Sequence, residues 1–411
     1  MATQTLAAAD AALKEFYVGP VVEQLNHKTW MLDRVERDSD HIDHTGRRAI
    51  VPLHTSRNRG RGSRGDNSSL PTPGKQGYAD AIIPIRYHYY GREITDPAIE
   101  ASTSNEGAFV NLLKGETQGL AKDMKKDINR QVYGTGDGLL ASVRSNSTST
   151  TVLVDSVQYL FVGDPVDVLV KTTGAATAGV QSALITAKDN TSGSETITID
   201  TALAGTAGTT YGVYIAGSRN NEMDGLRNIA GTTSRTLHGI DSTSNSYWNP
   251  TVVNASSAIA GESLFEQLAD AVGEVGDGEV DTFITTRGVR RRLADTYVSQ
   301  KRFNDAQAVN IHGGYTAIFV NEIPVIADTD CPKGWAFAIP TSKFKWFEQT
   351  KPGWLEQQNS SIFHLKDGST AGTKQNVWQA WFRWYSALGC VVPNETGAIY
   401  GAQDDVPTSL G

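Results

Sequence analysis

Apolar residues recur at helical spacing in one long stretch of the N-terminal half of the chain. Thr103 and Glu106 form a capping box that favours a helix start, and Gly134 is placed to end the helix. The stretch between them predicts a helix of roughly 29 residues, about 43 Å long. We expect its polar side, which includes Asp127 and Arg130, to be a solvated face of mixed charge. The apolar positions are Phe109, Leu113, Leu120, Met124, Ile128 and Val132.

Two strand-like runs before this helix flank a segment that is rich in Gly, Ser, Pro and Arg. Arg47–Leu53 and Ala81–Tyr90 predict the strands of a long hairpin whose tip is poorly hydrophobic. Pro52 and Pro84 lie inside these strands, which indicates edge positions, because proline cannot donate a ladder hydrogen bond. A two-stranded ribbon is marginal in isolation. The hairpin therefore needs a surface outside itself to lie on.

The composition changes over residues 146–216, where Thr, Ser, Val, Ala and Gly dominate. Short β-type runs such as TTVLV, DVLV and TITID are separated by turn signals at intervals of roughly ten residues. This pattern is typical of a small antiparallel β-barrel or sandwich. No cluster of polar side chains in it suggests chemistry, so we interpret it as an inserted β-domain.

An α/β pattern follows a link that is rich in Gly, Asn and Ser. Leu264, Leu268 and Val272 have the spacing of a helix that packs on one side. The elements predicted after it are a buried strand, a helix, a hairpin around Asn321 and Glu322, and two strands that complete a sheet. They are Asp281–Thr286, Gly288–Val298, Thr316–Asp328, Trp335–Pro340 and Lys343–Gln349.

The last strong pattern is an aromatic run, Asn376–Val392, which has too many aromatic residues for one face. It predicts a long strand sandwiched between layers. Tryptophans can also stack on sugars or bases, but in a strand that needs a core we favour packing. The aromatic residues are Trp378, Trp381, Phe382, Trp384 and Tyr385.

Composition limits the class of protein. Of 411 residues 39% are hydrophobic and 40 are Gly, which favours turns and β-rich segments. No run of 18 apolar residues exists, so no membrane span is expected, and the N-terminus lacks the pattern of a secretory signal. The two cysteines, Cys331 and Cys390, are too few for a disulfide framework and indicate synthesis in a reducing cytoplasm. We expect Cys390, in an apolar strand, to be a buried inert thiol.

The net charge of -8 hides a basic segment. Six arginines and no acidic residue lie between His44 and Gly65. The segment is either a solvated loop or a loop that meets an acidic surface, which nucleic acid or a neighbouring subunit would supply. We favour a neighbouring copy, because the rest of the chain is acidic. These arginines, with one hairpin lysine, are our candidate inter-subunit contacts: Arg47, Arg48, Arg57, Arg59, Arg61, Arg64 and Lys75.

Residues for chemistry are sparse. No Ser/His/Asp or Cys/His arrangement is visible, and the glycines after the long helix indicate a helix stop and not a phosphate loop. His41 and His44 with Asp40 and Asp43 have a faint metal-ligand pattern, which we interpret as a solvated polar turn. We therefore predict no catalytic, cofactor-binding or metal site and no cofactor.

The order of elements, together with one segment, carries a family resemblance. Gly314–Trp335 contains a hairpin, then Ile323-Pro324-Val325, Asp328 and the turn Pro332-Lys333-Gly334. With the preceding strand and helix and the C-terminal aromatic strand, it resembles the major capsid proteins of tailed bacteriophages. Their Hong Kong 97 fold is shared with encapsulin shells and herpesvirus floor domains.

The resemblance implies an α+β fold of the Hong Kong 97 type with an inserted β-barrel or sandwich. It assigns roles to segments that cannot fold alone: the hairpin would lie over an adjacent subunit of the capsomer, and the N-terminal arm would reach across neighbours. The expected divisions are an arm (1–45), extended hairpin loop (46–95), spine helix and start of the peripheral domain (96–145), insertion (146–216), linker and peripheral strands (217–259), axial domain (260–375) and C-terminal strand and tail (376–411).

The function that the resemblance implies is structural. The chain would assemble as pentamers and hexamers into the icosahedral shell of a virion, in the bacterial host cytoplasm, around double-stranded DNA held non-specifically. Only residues 1–45 precede the hairpin, so we expect a separate scaffolding protein, a portal and possible decoration proteins as partners, with no membrane and no cross-link at Lys75. The alternatives are an encapsulin-type compartment shell, or a monomeric β-rich ligand-binding protein or carbohydrate-active enzyme.

Overall fold

A computed structural model describes residues 30–42, 46–97, 119–120, 122–145, 147–191, 194–276, 278–300, 318–356, 364–367 and 373–404. Most of the predicted arm and the first half of the predicted long helix lie outside the described residues. No helix among those described is long and apolar enough to cross a lipid bilayer.

The described residues form the following helices and strands. The helices are α1 (Trp30–Arg34), α2 (residues 122–132), α3 (Leu226–Ile229), α4 (Glu262–Gly276) and α5 (Arg287–Gln300). The strands are β1 (Glu36–Asp38), β2 (Arg48–Ser56), β3 (Gly77–Pro84), β4 (Arg86–Thr95), β5 (Leu139–Ser142), β6 (Thr151–Leu153), β7 (Pro165–Val170), β8 (Val180–Asp189), β9 (Thr196–Ile199), β10 (Tyr211–Ile215), β11 (Thr236–Leu237), β12 (Ile240–Asp241), β13 (Thr251–Asn254), β14 (Thr282–Thr285), β15 (Ile318–Val320), β16 (Ile323–Ala327), β17 (Ala336–Ile339), β18 (Phe344–Trp354), β19 (His364–Asp367), β20 (Lys374–Cys390) and β21 (Gly397–Tyr400).

The predicted hairpin is present. β2 and β3 pair antiparallel from Arg48 opposite Pro84 to Ser56 opposite Gly77, as a two-stranded sheet. Both strands are therefore edges, which confirms the prediction made from Pro52 and Pro84. The predicted strand 81–90 is not continuous: it divides at Ile85, and β4 joins a different sheet.

The C-terminal aromatic run is the 17-residue strand β20, the centre of what we call the long-strand sheet. β18 lies on one side of β20 and β4 on the other, and β1 and β19 complete the sheet. The strand prediction is confirmed, although β20 is consistently buried only from Ser386 to Cys390. Its buried end shares one core with the base of the hairpin and with α2, through residues such as Ile83, Ile128 and Trp346.

β5 to β10 form a second sheet, here called the closed sheet, in the order β5-β10-β7-β8-β9-β6 with antiparallel pairs throughout. A bridge between Val143 and Val154 joins its two outer strands, so the sheet closes on itself. Its core contains only residues from Leu140 to Val213, with partly buried neighbours such as Ile215. The first strand, β5, lies before the predicted start at residue 146.

The third sheet, here called the mixed sheet, has the order β13-β21-β17-β14-β16-β15. Its central strand β14 is buried throughout, and α4 and α5 share its core. The hairpin β15–β16 is confirmed, because Asn321 and Glu322 take φ values of 47° and 69° in its two-residue turn. One prediction is wrong: β18 does not complete this sheet. A 3-10 turn at Thr341–Lys343 directs it into the long-strand sheet, and β21 lies next to β17 instead.

Candidate inter-subunit surface

All seven predicted contact residues lie on the hairpin β2–β3, and all are exposed. Arg47 and Arg48 lie at its base, whereas the other five belong to the hairpin tip, which we define as residues 57–76. This segment has no strand pairing, and its residues are exposed except for Pro71, which is half-buried. Irregular loops of this length inside a compact protein are uncommon, and they are usually functional loops or linkers.

The tip continues the hairpin as a narrow ribbon. A Cβ atom on Gly60 would lie 2.7 Å from the carbonyl oxygen of Thr72 and still closer to the backbone nitrogen of Gly74. The backbone N–H of Gly60 donates to Asn58 Oδ1 at 2.8 Å, and Ser68 N–H donates to the Gly65 carbonyl at 3.2 Å. Glycine at position 60 therefore lets the two arms approach each other without regular pairing.

Charge on the hairpin is strongly unbalanced. Between residues 46 and 79 the sequence has seven basic residues and one acid, Asp66. Among the ion pairs of the described residues, none contains Arg59, Arg61, Arg64 or Lys75. An exposed ribbon of one sign repels itself and attracts acidic surfaces, and salt weakens both effects.

Two large apolar side chains on the hairpin were missed from the sequence. Leu70 is 87% exposed at the tip, and Tyr78 is 75% exposed beside it, with its ring centroid 5.4 Å from that of His54. Single exposed apolar residues are ordinary, but these two share a projecting basic ribbon, where a partner surface could cover them. Leu70 could have been recognised in the sequence, because it is a large apolar residue in an otherwise polar segment.

The base of the hairpin is fixed to the subunit. Ala49, Val51, Ala81 and Ile83 point into the shared core, and Ile82 N–H donates to the His238 carbonyl at 2.8 Å. The hairpin is thus anchored at one end and projects at the other. This geometry holds the basic tip away from its own subunit.

An aromatic stripe lies on the long-strand sheet, on the strand that follows the hairpin. Tyr87 and Tyr89 of β4 are about half exposed, and both rings contact Tyr385 of β20 edge to face. The hydroxyl groups of Tyr89 and Tyr385 are 3.0 Å apart, and this hydrogen bond raises the pKa of Tyr89 to about 12. The Arg383 guanidinium lies 5.5 Å from the Tyr385 ring.

The prediction that Asp127 and Arg130 lie on a solvated face of α2 is wrong. Arg130 is buried and donates two hydrogen bonds to Glu222, at 3.0 Å and 2.6 Å, and one to Asp127. Tyr90 O–H donates to Asp127 at 2.7 Å. Burial opposes the Arg130 charge, but the two carboxylates outweigh it and raise the pKa of Arg130. This network fastens α2 to β4 and to the segment after the closed sheet.

The described residues contain no group of three His, Cys, Asp or Glu side chains suited to a metal ion. His41 Nδ1 lies 2.9 Å from Asp38 Oδ2, while Asp43 and His44 lie outside the described residues. Both cysteines are free and buried, and burial raises the pKa of Cys390 to about 12. Cys390 is buried, as expected, and its raised pKa favours the protonated thiol.

Comparisons with known proteins give similarity at the level of structure. No protein-family model matches the sequence, and no curated protein matches it. A chain of the capsid asymmetric unit of cyanophage A-1(L) superposes with a TM-score of 0.54 at 12% identity, over 92% of this chain and 94% of that chain.

Two further solved structures align at lower scores. A chain of Mycobacterium phage Adephagia has a TM-score of 0.49 at 10% identity, over 99% and 100% of the two chains. The SrpI encapsulin of Synechococcus elongatus has a TM-score of 0.45 at 8% identity, over 98% and 96%. The fold assignment rests on the cyanophage chain alone: this protein has the fold of a phage capsid protein.

Proposed function

We propose that this chain is the major capsid protein of a tailed bacteriophage, a structural protein and not an enzyme. Copies would form pentamers and hexamers and close an icosahedral shell around the phage genome in the virion. The observation that carries the proposal is the hairpin: an anchored base, a projecting basic tip and no core at the tip, on a chain with a phage capsid fold.

A ribbon of this kind gains stability by lying on another surface. Ordering the tip costs conformational entropy, and the tip does not offset this by burying its own Leu70, which is 87% exposed. In a closed ring of identical copies, one patch of each subunit meets a different patch of the next. Contacts of this obligate kind bury more than about 2,000 Å².

The tip arginines would contact acidic side chains of a neighbour. Single exposed ion pairs contribute little, about 0–1 kcal/mol each. With four arginines at every interface of a shell, the summed attraction becomes substantial, and salt would screen it. We therefore propose that assembly through the hairpin weakens as ionic strength rises.

The proposal includes partners beyond the chain itself. A separate scaffolding protein would guide closure, a portal would occupy one vertex, and decoration proteins could bind outside. Double-stranded DNA would meet the inner surface through its phosphates, without sequence preference. Assembly would take place in the cytoplasm of the bacterial host.

The first experiment measures the size of the purified protein by gradient sedimentation and negative-stain microscopy at low and high salt. Closed shells, pentamers or hexamers are the expected result. A stable monomer of 44.3 kDa that never assembles, even with its native partners, would contradict the proposal. Shells that copurify with a cargo enzyme instead of phage DNA would indicate an encapsulin-type compartment.

Replacement of Arg57, Arg59, Arg61 and Arg64 by Ser tests the hairpin directly. We expect a lower yield of shells and a loss of the salt dependence, because the charges that salt screens are gone. The matched control replaces the same four residues by Lys, which keeps the charge and should keep assembly. Equal yields and equal salt dependence in the Ser variant and the unaltered protein would exclude the arginines as contacts.

A further inference from the structure

Helix α4 of the mixed sheet carries an acidic stripe on its outer side. Glu262, Glu266, Asp270 and Glu274 recur at every fourth position, and the helix contains no Lys or Arg. Residues four apart lie on the same face of a helix, so these like charges repel one another along it. Asp270 and Glu274 are exposed, whereas Phe265, Leu268 and Val272 face the core. The repulsion along the stripe lowers the stability of α4 in the isolated subunit.

Helix α5 carries the opposite charge in an equally unfavourable place. Arg287 and Arg291 lie one turn apart and are exposed, and no acidic residue occurs in the first turn. Cations at a helix N-terminus oppose the helix dipole. Burial and the neighbouring charge of Arg287 lower the pKa of Arg290, which lies between them. The arginine face, which we define as Arg287 and Arg291, therefore suits an acidic partner.

Within one subunit these two surfaces do not neutralise each other. Both helices pack on the core of the mixed sheet, and Glu262 of α4 lies beside Tyr297 near the end of α5. The ion pairs of the described residues join neither Asp270 nor Glu274 to Arg287 or Arg291. The two helices thus present unmatched charges of opposite sign on one domain.

We propose that the exposed end of the acidic stripe of α4, Asp270 and Glu274, docks on one copy against the arginine face of α5 on the next copy around a capsomer. This contact presupposes the proposed shell function. It would join each subunit to the next in the ring of a capsomer. A ring needs a contact between two different patches of the same chain. A patch of each sign, on two helices of one domain, meets that requirement. Charge complementarity also fixes the register of neighbours and disfavours like-to-like contacts.

The test is a charge swap with equal charge changes on each side. One variant carries Asp270→Arg and Glu274→Arg, a second carries Arg287→Glu and Arg291→Glu, and a third carries all four substitutions. All four positions are exposed, and the substitutions relieve the repulsion along α4 and the unfavourable cations at the start of α5. The urea midpoint of the unassembled chains should therefore be equal to or higher than that of the unaltered chain. Each single-sided variant is expected to lose capsomers about tenfold or more, because attraction becomes repulsion at every contact. The four-fold variant should recover them.

Mixing the two single-sided variants gives a second readout. Each contact between unlike variants is attractive in an alternating ring, so the mixture should form hexamers. Pentamers should not form, because an odd ring cannot alternate, and closed shells should therefore be absent. These products are measured by native mass spectrometry and microscopy.

Failure of this contact is distinguishable from failure of the shell function. If the unaltered protein never assembles, the shell function itself fails. If the unaltered protein assembles but the four-fold variant stays unassembled while folded, the α4–α5 contact is wrong. Rescue of the α4 variant by Arg57→Glu and Arg59→Glu instead would assign the acidic stripe to the hairpin tip and would overturn the contact as well.

Discussion

At the residue scale, His238 links three segments that are distant in sequence. It occupies a two-residue turn between β11 and β12 with a φ of 52°, followed by Gly239 at 80°. Its carbonyl accepts the Ile82 N–H of the hairpin, and its Nε2 accepts the Cys390 N–H of β20 at 3.3 Å. The side chain is buried, and Nδ1 lies 3.8 Å from Asp224 Oδ2. Because Nε2 accepts a hydrogen bond, a neutral ring carries its proton on Nδ1. Protonation of Nε2 would remove the contact with β20.

We expect this residue to make the stability of the subunit dependent on pH. Burial lowers the pKa of His238 to about 4, below its usual value of 6.5. The unfolded chain therefore binds a proton first, and the free energy of unfolding falls as the pH drops from 6.5 towards 4, by about 3 kcal/mol. In His238→Asn, where Asn also tolerates the turn, we expect a smaller loss between pH 7 and pH 5 in urea titrations.

His88 provides the matched comparison for this prediction. It is also buried, and burial lowers its pKa to about 4 as well. Replacing His88 by Gln in addition should flatten the pH dependence further, because the two rings lie in different contacts. Equal slopes in the unaltered chain and in His238→Asn would show that the histidine does not titrate on unfolding.

Single residues were the level at which the sequence was least informative. Asp127 and Arg130 have the spacing of an outer helix face, and nothing nearby in sequence marks Glu222 as their partner. A buried charged residue needs a partner that compensates it. One partner of Arg130, Glu222, lies 92 residues away in the chain, and a contact of that range cannot be read from one sequence. In contrast, the exposed arginines of the hairpin were predictable, because the stretch between His44 and Gly65 has six arginines and no acidic residue that could compensate them in a core.

At the element scale, the hairpin depends on the close approach of its arms at the tip. Gly60 permits this approach, because a Cβ atom there would press on the backbone of Thr72 and Gly74. Gly62 lies two residues away with more space: its Cβ would be 3.6 Å from the Pro71 ring, an ordinary contact. The same Gly-to-Ala change therefore alters the backbone of the tip at position 60 but not at position 62.

Replacement of Gly60 by Ala should reduce the yield of capsomers and shells several-fold while the urea midpoint of the unassembled subunit stays unchanged. The reason is that the arms must separate, although the tip contributes nothing to the core. Gly62→Ala is the control and should behave as the unaltered protein in both measurements. If Gly60→Ala assembles with normal yield, the shape of the tip is not needed for the contact between subunits.

Elements were predicted well where their pattern was local. The hairpin turn was predictable from Asn321, which tolerates positive φ, although Glu322 also takes a φ of 69°. Strand β20 follows from an aromatic run too broad for one face. Sheet membership was not predictable in the same way. Two strands that follow each other, β17 and β18, join different sheets because a short turn redirects the chain, and hydrophobic pattern does not encode that direction.

At the scale of the whole molecule, the closed sheet is a unit whose two chain connections to the rest of the subunit lie next to each other. Its first and last strands, β5 and β10, are paired, so the chain enters and leaves side by side. The carbonyl of Asp137 accepts the N–H of Asn220 at 2.9 Å, just outside the sheet. The sequence prediction began this unit at residue 146, after β5. The glycines before β5 were interpreted as the end of helix α2, and no further turn residues mark the start of a new unit.

Side chains join the closed sheet to the rest of the subunit. Gln158 Nε2 donates to the carbonyls of Thr329 and Cys331 at 3.1 Å and 3.2 Å, and Lys333 Nζ lies 3.9 Å from Glu195 Oε1. Tyr159 O–H donates to the Asp330 carbonyl at 2.6 Å, and Lys126 Nζ lies 4.4 Å from the Phe161 ring. None of the residues of its core belongs to another core cluster. By contrast, Glu222, which holds Arg130, lies after the unit and would be retained without it.

Residues 138–219 should therefore be removable. Because the Asp137–Asn220 hydrogen bond is that of a β-turn once two residues lie between them, a Gly-Gly link should close the gap without strain. We expect the shortened chain to remain folded and to form capsomers, with a lower urea midpoint from the lost Tyr159 contact, and the excised segment to unfold cooperatively by itself. A deletion of only β7 and β8, which breaks the core of the closed sheet, is the control and should leave an insoluble chain. If the shortened chain folds but forms no capsomers, the closed sheet is itself a contact between subunits, and the hairpin does not act alone.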